Sequence, residues 1–348
     1  MKQYPRPIRI LIVLLLMLSI LVLLKIGREL LITFTVSIFF TFLLMPLSRQ
    51  LEKWKIPRSI AIILSLVIFV GFISGILFFM GYQLSKLISD LPYLQEQLLF
   101  KISDLQLYIT ENFGLTENEQ FTWLSNELGS MTKMAVTYSM NAFAATGAIL
   151  ANLAIIPILI FFFTYYRDKF KTFINLRLKN NQDNLEVFEI ADKVSEVSGK
   201  YMKGLMLDIL ILSVLNSIGF LLLDIKYAIF FGFLAGFLNI VPYIGVMIGS
   251  ILPAMMALLT KDSSWYAFGV LAVCGAVQFL DNNFITPKVV GSSVSINPLT
   301  AMIALLLGSV LWGVAGMILF IPIAGMLKVV FDEVEPLKPY GYLMGDKD

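Results

Sequence analysis

Gln278, Asp281, Asn282 and Asn283 stand together in a stretch that is otherwise apolar from Trp265 to Ile285. A carboxylate and three carboxamides at one level of a hydrophobic helix can bind a polar solute, or a cation that exchanges with a proton. An ionisable group at membrane depth is costly enough to be read as functional. The alternative is that Asp281 sits near an interface and pairs with Lys288 as a topological marker. A second group of candidates lies upstream, where Asn239-Ile240-Val241-Pro242-Tyr243-Ile244-Gly245 interrupts an uncharged run from Ala228 to Thr260. Pro242 has no N–H and clashes with the preceding turn, and Gly245 tolerates dihedrals that other residues avoid. Asn239 and Tyr243 can offer an amide and a hydroxyl to a polar ligand, or satisfy the backbone that the break frees. Asp208 is a third candidate, for ion or proton coupling with Asp281; its alternative is an ion pair with Lys200 or Lys203.

These residues need helices to hold them. At 348 residues, 58% hydrophobic and 14% charged, with mean hydropathy +0.84, the chain reads as an all-α polytopic integral membrane protein. A net charge of +2 gives no reason to expect a nucleic-acid partner. One cysteine, Cys274, and no histidine leave no material for disulfides, zinc sites or His-dependent triads, so neither an enzyme nor a cofactor is expected. Cys274 itself reads as a small apolar filler, and no Gly-x-x-x-x-Gly-Lys-Ser/Thr loop is visible.

Membrane spans 1–3 fall at about 10–24, 30–47 and 59–82. The basic loop Arg49, Lys53, Lys55 and Arg58 marks the cytoplasmic side, so both termini are expected inside. Residues 83–146 carry seven acids against three lysines and read as an extracytoplasmic helical region. A fourth span at about 147–166 leads to a cytoplasmic connecting helix within 167–203. The transport core is then 204–330, with a fifth span at 204–223, and a tail follows at 331–348. Gly232, Gly236, Gly245 and Gly249 read as close helix packing.

The run 228–260 has 33 residues, roughly 50 Å as one helix, against a hydrocarbon core of about 30 Å. The uncharged run 299–327 is also too long, and is interrupted at Gly308-Ser309 and Gly313 to Gly316. Two topologies fit. In one, both runs are re-entrant helical hairpins beside six full spans; in the other they are kinked crossings, giving eight spans. The hairpins are the preferred reading, because paired interrupted segments in one half of a chain are a feature of transporter cores.

Leu238-Asn239-Ile240-Val241-Pro242-Tyr243-Ile244-Gly245, Asp281-Asn282-Asn283-Phe284-Ile285-Thr286-Pro287-Lys288-Val289-Val290-Gly291 and Asn297-Pro298-Leu299 resemble motifs of the autoinducer-2 exporter family of bacterial membrane proteins. Met45-Pro46-Leu47 and Tyr201-Met202-Lys203-Gly204 carry the resemblance through the rest of the chain. It implies secondary transport in the bacterial cytoplasmic membrane, a homo-oligomer, specifically a pentamer, and hairpins near the substrate. Some members of that family export a small furanone signal; others exchange sodium or lithium for protons. The family usually has Glu where this chain has Asp281. The leading expectation is export of a small polar or amphiphilic molecule by alternating access, with Asn239, Pro242, Tyr243, Gly245, Gln278, Asp281, Asn282, Asn283 and Pro287 as the binding set. The alternatives are a cation and proton antiporter and a non-transporting membrane scaffold.

Overall fold

A computed structural model describes residues 5–113, 155–178, 184–240, 244–291 and 295–346. The described elements are helical. In chain order they are α1 (Arg6–Ile26), α2 (Arg28–Lys53), α3 (Arg58–Ser89), α4 (Leu91–Phe113), α5 (Ile155–Tyr165), α6 (Arg167–Leu178), α7 (Asn184–Leu222), α8 (Ala228–Leu238), α9 (Ile244–Thr260), α10 (Trp265–Leu280), α11 (Pro298–Glu333) and α12 (Lys338–Met344). Two π-helical turns, Asp281–Ile285 and Pro287–Gly291, extend α10. Among the described residues, five helical stretches are long and apolar enough to cross a membrane: 28–53, 58–89, 190–222, 265–291 and 298–333. Leu, Ile and Val side chains along α1 and α3 are widely exposed, as a lipid-facing surface would be.

Helices differ from the sequence reading in extent. The connecting helix expected within 167–203 and the span expected from Gly204 are one continuous α7, in which no proline interrupts Asn184 to Leu222. The third span continues to Ser89, beyond the expected end at Tyr82. Much of the expected extracytoplasmic region and the start of the fourth span lie outside the described residues.

Two compact units interleave along the chain. The first comprises residues 1–67, 153–205 and 288–348; the second comprises 68–152 and 206–287. In the first unit, Arg58 pairs with Asp168 at 2.5 Å and Arg167 with Glu52 at 2.5 Å, joining the start of α3, the end of α2 and α6. Asn297 caps α11 by accepting from the Thr300 N–H at 2.8 Å, and its own amide donates to the Leu343 carbonyl, which fastens α12 to the start of α11.

Within α11 the helix breaks at Gly313, whose φ of 63° and ψ of −138° suit glycine and almost no other residue. Gly308 and Gly316 then meet backbone to backbone: a Cβ on Gly316 would lie 2.9 Å from the Gly308 Cα and would collide with its carbonyl. Residues eight apart in an unbroken helix are about 12 Å apart, so the chain folds back here. The Trp312 and Phe320 rings, 5.1 Å apart, close the turn, and the Trp312 indole N–H donates to the Leu24 carbonyl of α1.

The second unit contains the other interrupted run. Helix α8 ends at Leu238, helix α9 begins at Ile244, and the two pack antiparallel: Gly245 lies against Leu238 and Asn239, and Gly249 against Ala235. Gly232 and Gly236 press onto Ser217 and Ser213 of α7, where a Cβ on Gly236 would come within 2.6 Å of the Ser213 nitrogen. Small residues thus allow three helices to approach closely, the packing role their spacing suggested. Phe220, Phe230, Phe231, Met256, Ala257 and Val270 form the apolar core between α7, α8, α9 and α10.

Candidate functional site

Asp281 is the hub of the polar residues in the second unit and is 2% exposed. Its Oδ2 accepts from the Asn239 amide at 2.9 Å and from the Gln278 amide at 3.2 Å, while its Oδ1 accepts from the Thr286 hydroxyl at 2.6 Å. Each donor has its own local cause. Asn239 follows the last residue of α8, so the break in the apolar run presents its side chain at a helix end. Gln278 lies three residues before Asp281, on the same face of α10.

Thr286 owes its place to the π-helical turn. In an α-helix a residue five positions on points well away from the first; in a π-helix it lies one turn above it. The Thr286 N–H bonds to the Asp281 carbonyl in that register, and the hydroxyl closes onto the carboxylate. Pro287, which has no N–H and crowds an α-helical carbonyl four residues back, supplies a reason for the wider turn.

Asp208 of α7 completes the cluster. It is 7% exposed, its carboxyl group faces that of Asp281 with the Thr286 hydroxyl beside them, and its Oδ1 has no hydrogen-bond partner. Lys200, one of the two lysines expected as its alternative partner, pairs with Glu196 at 2.6 Å on its own helix. The Asp281 carboxylate is buried among amide and hydroxyl donors. Two acidic groups in contact, served by neutral donors, form a site with up to two negative charges and no ammonium or guanidinium among these contacts. Such a site suits a cation, a proton or the donor groups of a polar solute.

Of the residues expected to bind substrate, Asn239, Gln278 and Asp281 come together. Asn282 joins at the edge, accepting from the Gln278 amide at 3.0 Å while remaining exposed. Asn283 turns away and donates to the Phe279 carbonyl of its own helix, and Pro287 is exposed. Gly245 contributes by its closeness to Asn239 rather than by a polar group. Pro242 and Tyr243 lie outside the described residues. Thr286 was not singled out from sequence. Its i to i+5 spacing from Asp281, just ahead of a proline, was the available signal.

The sequence was compared with known proteins. Residues 10–335 match the model of the AI-2E family transporter. The Bacillus subtilis protein YrrI is 30% identical over 318 residues, covering 87% of this chain and 86% of that protein. YueF of the same organism is 26% identical, covering 83% of this chain and 80% of that protein. The AI-2 transport protein TqsA of Escherichia coli is 21% identical over 340 residues, covering 92% of this chain and 91% of that protein. With apolar helices long enough to span a bilayer and a family match over almost its whole length, the chain is a multi-pass membrane transporter that belongs to the AI-2E family.

Proposed function

We propose that the chain is a secondary transporter that exports a small polar or amphiphilic molecule, of the autoinducer-2 type, by alternating access, with the Asp281 cluster as its substrate site. The observation that carries this reading is the buried Asp281 carboxylate, which gathers donors from the end of α8, from α10 and from a π-helical turn. A conformational change in any one of these elements alters what the carboxylate can bind. The similarity to TqsA, an AI-2 transport protein, supports the cargo class. In this reading the two folded-back segments are re-entrant hairpins, the chain works as a homo-oligomer, namely a pentamer, and it lies in the bacterial cytoplasmic membrane with both termini inside. The basic loop between α2 and α3 supports that orientation. No covalent chemistry on the cargo and no cofactor are required.

One observation favours a second reading, exchange of sodium or lithium for protons. Asp208 and Asp281 stand side by side, and the Asp208 Oδ1 has no partner. A single bound cation or a shared proton would offset charge in that pair, so the two could compete for it. Flux into liposomes of purified protein decides between the readings. A panel of hydroxylated metabolites, including the furanone signal, is measured with proton and sodium gradients imposed separately. Gradient-driven movement of an organic solute supports export; sodium movement coupled only to protons supports exchange.

A further inference from the structure

Beside the Asp281 cluster, and distinct from the carboxylates, a small chamber of about 20 Å³ lies between α7, α8, α9 and α10, with Asn216, Asn239, Gln278, Cys274 and Gly249 in its wall. That volume is room for about one water-sized group. Three carboxamides contribute to a wall that is otherwise apolar, and the hydrogen bonds around them fix which end of each amide is free. The Asn216 Nδ2 donates to the Leu212 carbonyl at 2.9 Å. The Asn239 Nδ2 donates to Asp281 at 2.9 Å, and the Gln278 Nε2 donates to Asp281 at 3.2 Å and to the Asn282 Oδ1 at 3.0 Å.

A backbone carbonyl and a carboxylate accept, so none of these amides can be turned round without losing its bond. The carbonyl oxygens of Asn216, Asn239 and Gln278 are left without a donor among the described residues. Three acceptors with no donor among the described residues, and no charged side chain among the described residues of the wall, favour a hydrogen-bond donor and disfavour a group that only accepts, because polar atoms left unpaired away from water are costly. We propose that this chamber is a recognition subsite that seats one hydroxyl group of the cargo and rejects solutes that can only accept hydrogen bonds. The proposal rests on the transport reading above and assigns Asn216 as a residue that sets specificity.

Cys274 is the single cysteine of the chain and stands in the chamber wall, which gives a readout independent of transport. Purified protein is treated with methyl methanethiosulfonate, and the rate of Cys274 modification is followed by mass spectrometry. The buffer contains glycerol, or trimethylamine N-oxide at equal osmolality, or sodium chloride at equal osmolality. Glycerol donates hydrogen bonds and trimethylamine N-oxide only accepts them. With about 2 M glycerol and a Kd of about 1 M, occupancy slows modification about threefold; trimethylamine N-oxide and sodium chloride leave the rate unchanged. Asn216→Leu, which removes one acceptor, abolishes the protection while Cys274 still reacts.

Equal protection by glycerol and trimethylamine N-oxide, or protection by neither, overturns the proposal. Protection by sodium chloride alone replaces it with a bare cation site. A Cys274 that reacts in unfolded but never in folded protein shows a chamber closed to solutes and also overturns it. The wild-type comparison needs no variant, so a failure of Asn216→Leu to fold leaves the test standing. Glycerol protection without any flux refutes the transport reading alone; flux without protection refutes the subsite alone.

Discussion

Replacing Gly316 with alanine changes stability with opposite sign according to whether α11 folds back. An ideal Cβ at 316 lies 2.9 Å from the Gly308 Cα, where ordinary contact begins at 3.4 Å, and it would also strike the Gly308 carbonyl. Both neighbours are backbone and cannot rotate aside, so the arms must part. Overpacking of this kind costs about 1–3 kcal/mol. In an unbroken helix the same change removes a flexible residue and stabilises by about 0.8–1 kcal/mol.

Gly308→Ala and Gly316→Ala press on the same contact, so the double variant should be destabilised by less than the sum of the two, with a coupling of about 0.5 kcal/mol or more. Gly313→Ala separates the other contribution: nothing lies within 4 Å of its Cβ, so its cost is backbone strain alone, about 1–3 kcal/mol. Reversible unfolding in mixed detergent micelles, titrated with dodecyl sulfate and followed by circular dichroism, reads all four. A Gly316→Ala variant more stable than wild type, or strictly additive single changes, would refute the fold-back.

Three further outcomes follow from other parts of the molecule. Single cysteines at 262 and 288 in a Cys274→Ala background should label from outside and inside respectively with an impermeant reagent if both interrupted runs are re-entrant; the reverse pattern supports eight spans. Gly245→Ala sets a Cβ 2.7 Å from the Asn239 backbone nitrogen and should shift that residue so that its side-chain amide leaves Asp281, reducing flux at least tenfold, since a misplacement of about 1 Å can cost that much; undiminished flux would detach Asn239 from the site. At the Asp90 corner, the hydrogen bond from Lys226, then that from Tyr227, holds the Asp90 carboxyl below its usual range, while burial, then Asp90, pushes the Tyr227 hydroxyl up to about 12. Asp90 therefore stabilises above about pH 4 and loses this as pH falls. Tyr227 stabilises below about pH 10 and loses this as pH rises towards about 12, so Tyr227→Phe should cost about 0.5–1 kcal/mol at pH 8 in thermal melts, with the gap closing at high pH. A gap that persists at high pH contradicts the role of the hydroxyl.

The interruptions were legible in the sequence because Pro242 and the glycines at 308, 313 and 316 have few uses inside long apolar runs. Asp281 was legible because a carboxylate in such a run needs a reason. Its partners were only half legible. Gln278 shares a helical face with Asp281, and the break beside Asn239 suggested an exposed amide, but Asn283 had the right chemistry and the wrong face. Contact with Asp208 joins residues 73 positions apart and depends on how α7 packs against the π-helical turn, which no local pattern encodes. The nearby lysines made an ion pair the simpler expectation for Asp208. Thr286 was hidden because its place depends on the π register rather than the ordinary helical one. The continuity of α7 was missed because polarity changes near Gly204 while helix propensity does not.

Participation of Asp281 in transport is read from gradient-driven flux in liposomes carrying Asp281→Asn and Asp281→Glu. The Asn variant keeps an acceptor towards Asn239 and Gln278 but cannot titrate, whereas Glu keeps the charge. If Asp281 only hydrogen-bonds an organic cargo, Asn retains part of the flux; if it carries the coupling ion or proton, Asn loses the response to the gradient, and Glu is tolerated in both cases. Full, gradient-coupled flux in Asp281→Asn, in protein that is folded and inserted as wild type, would contradict the account.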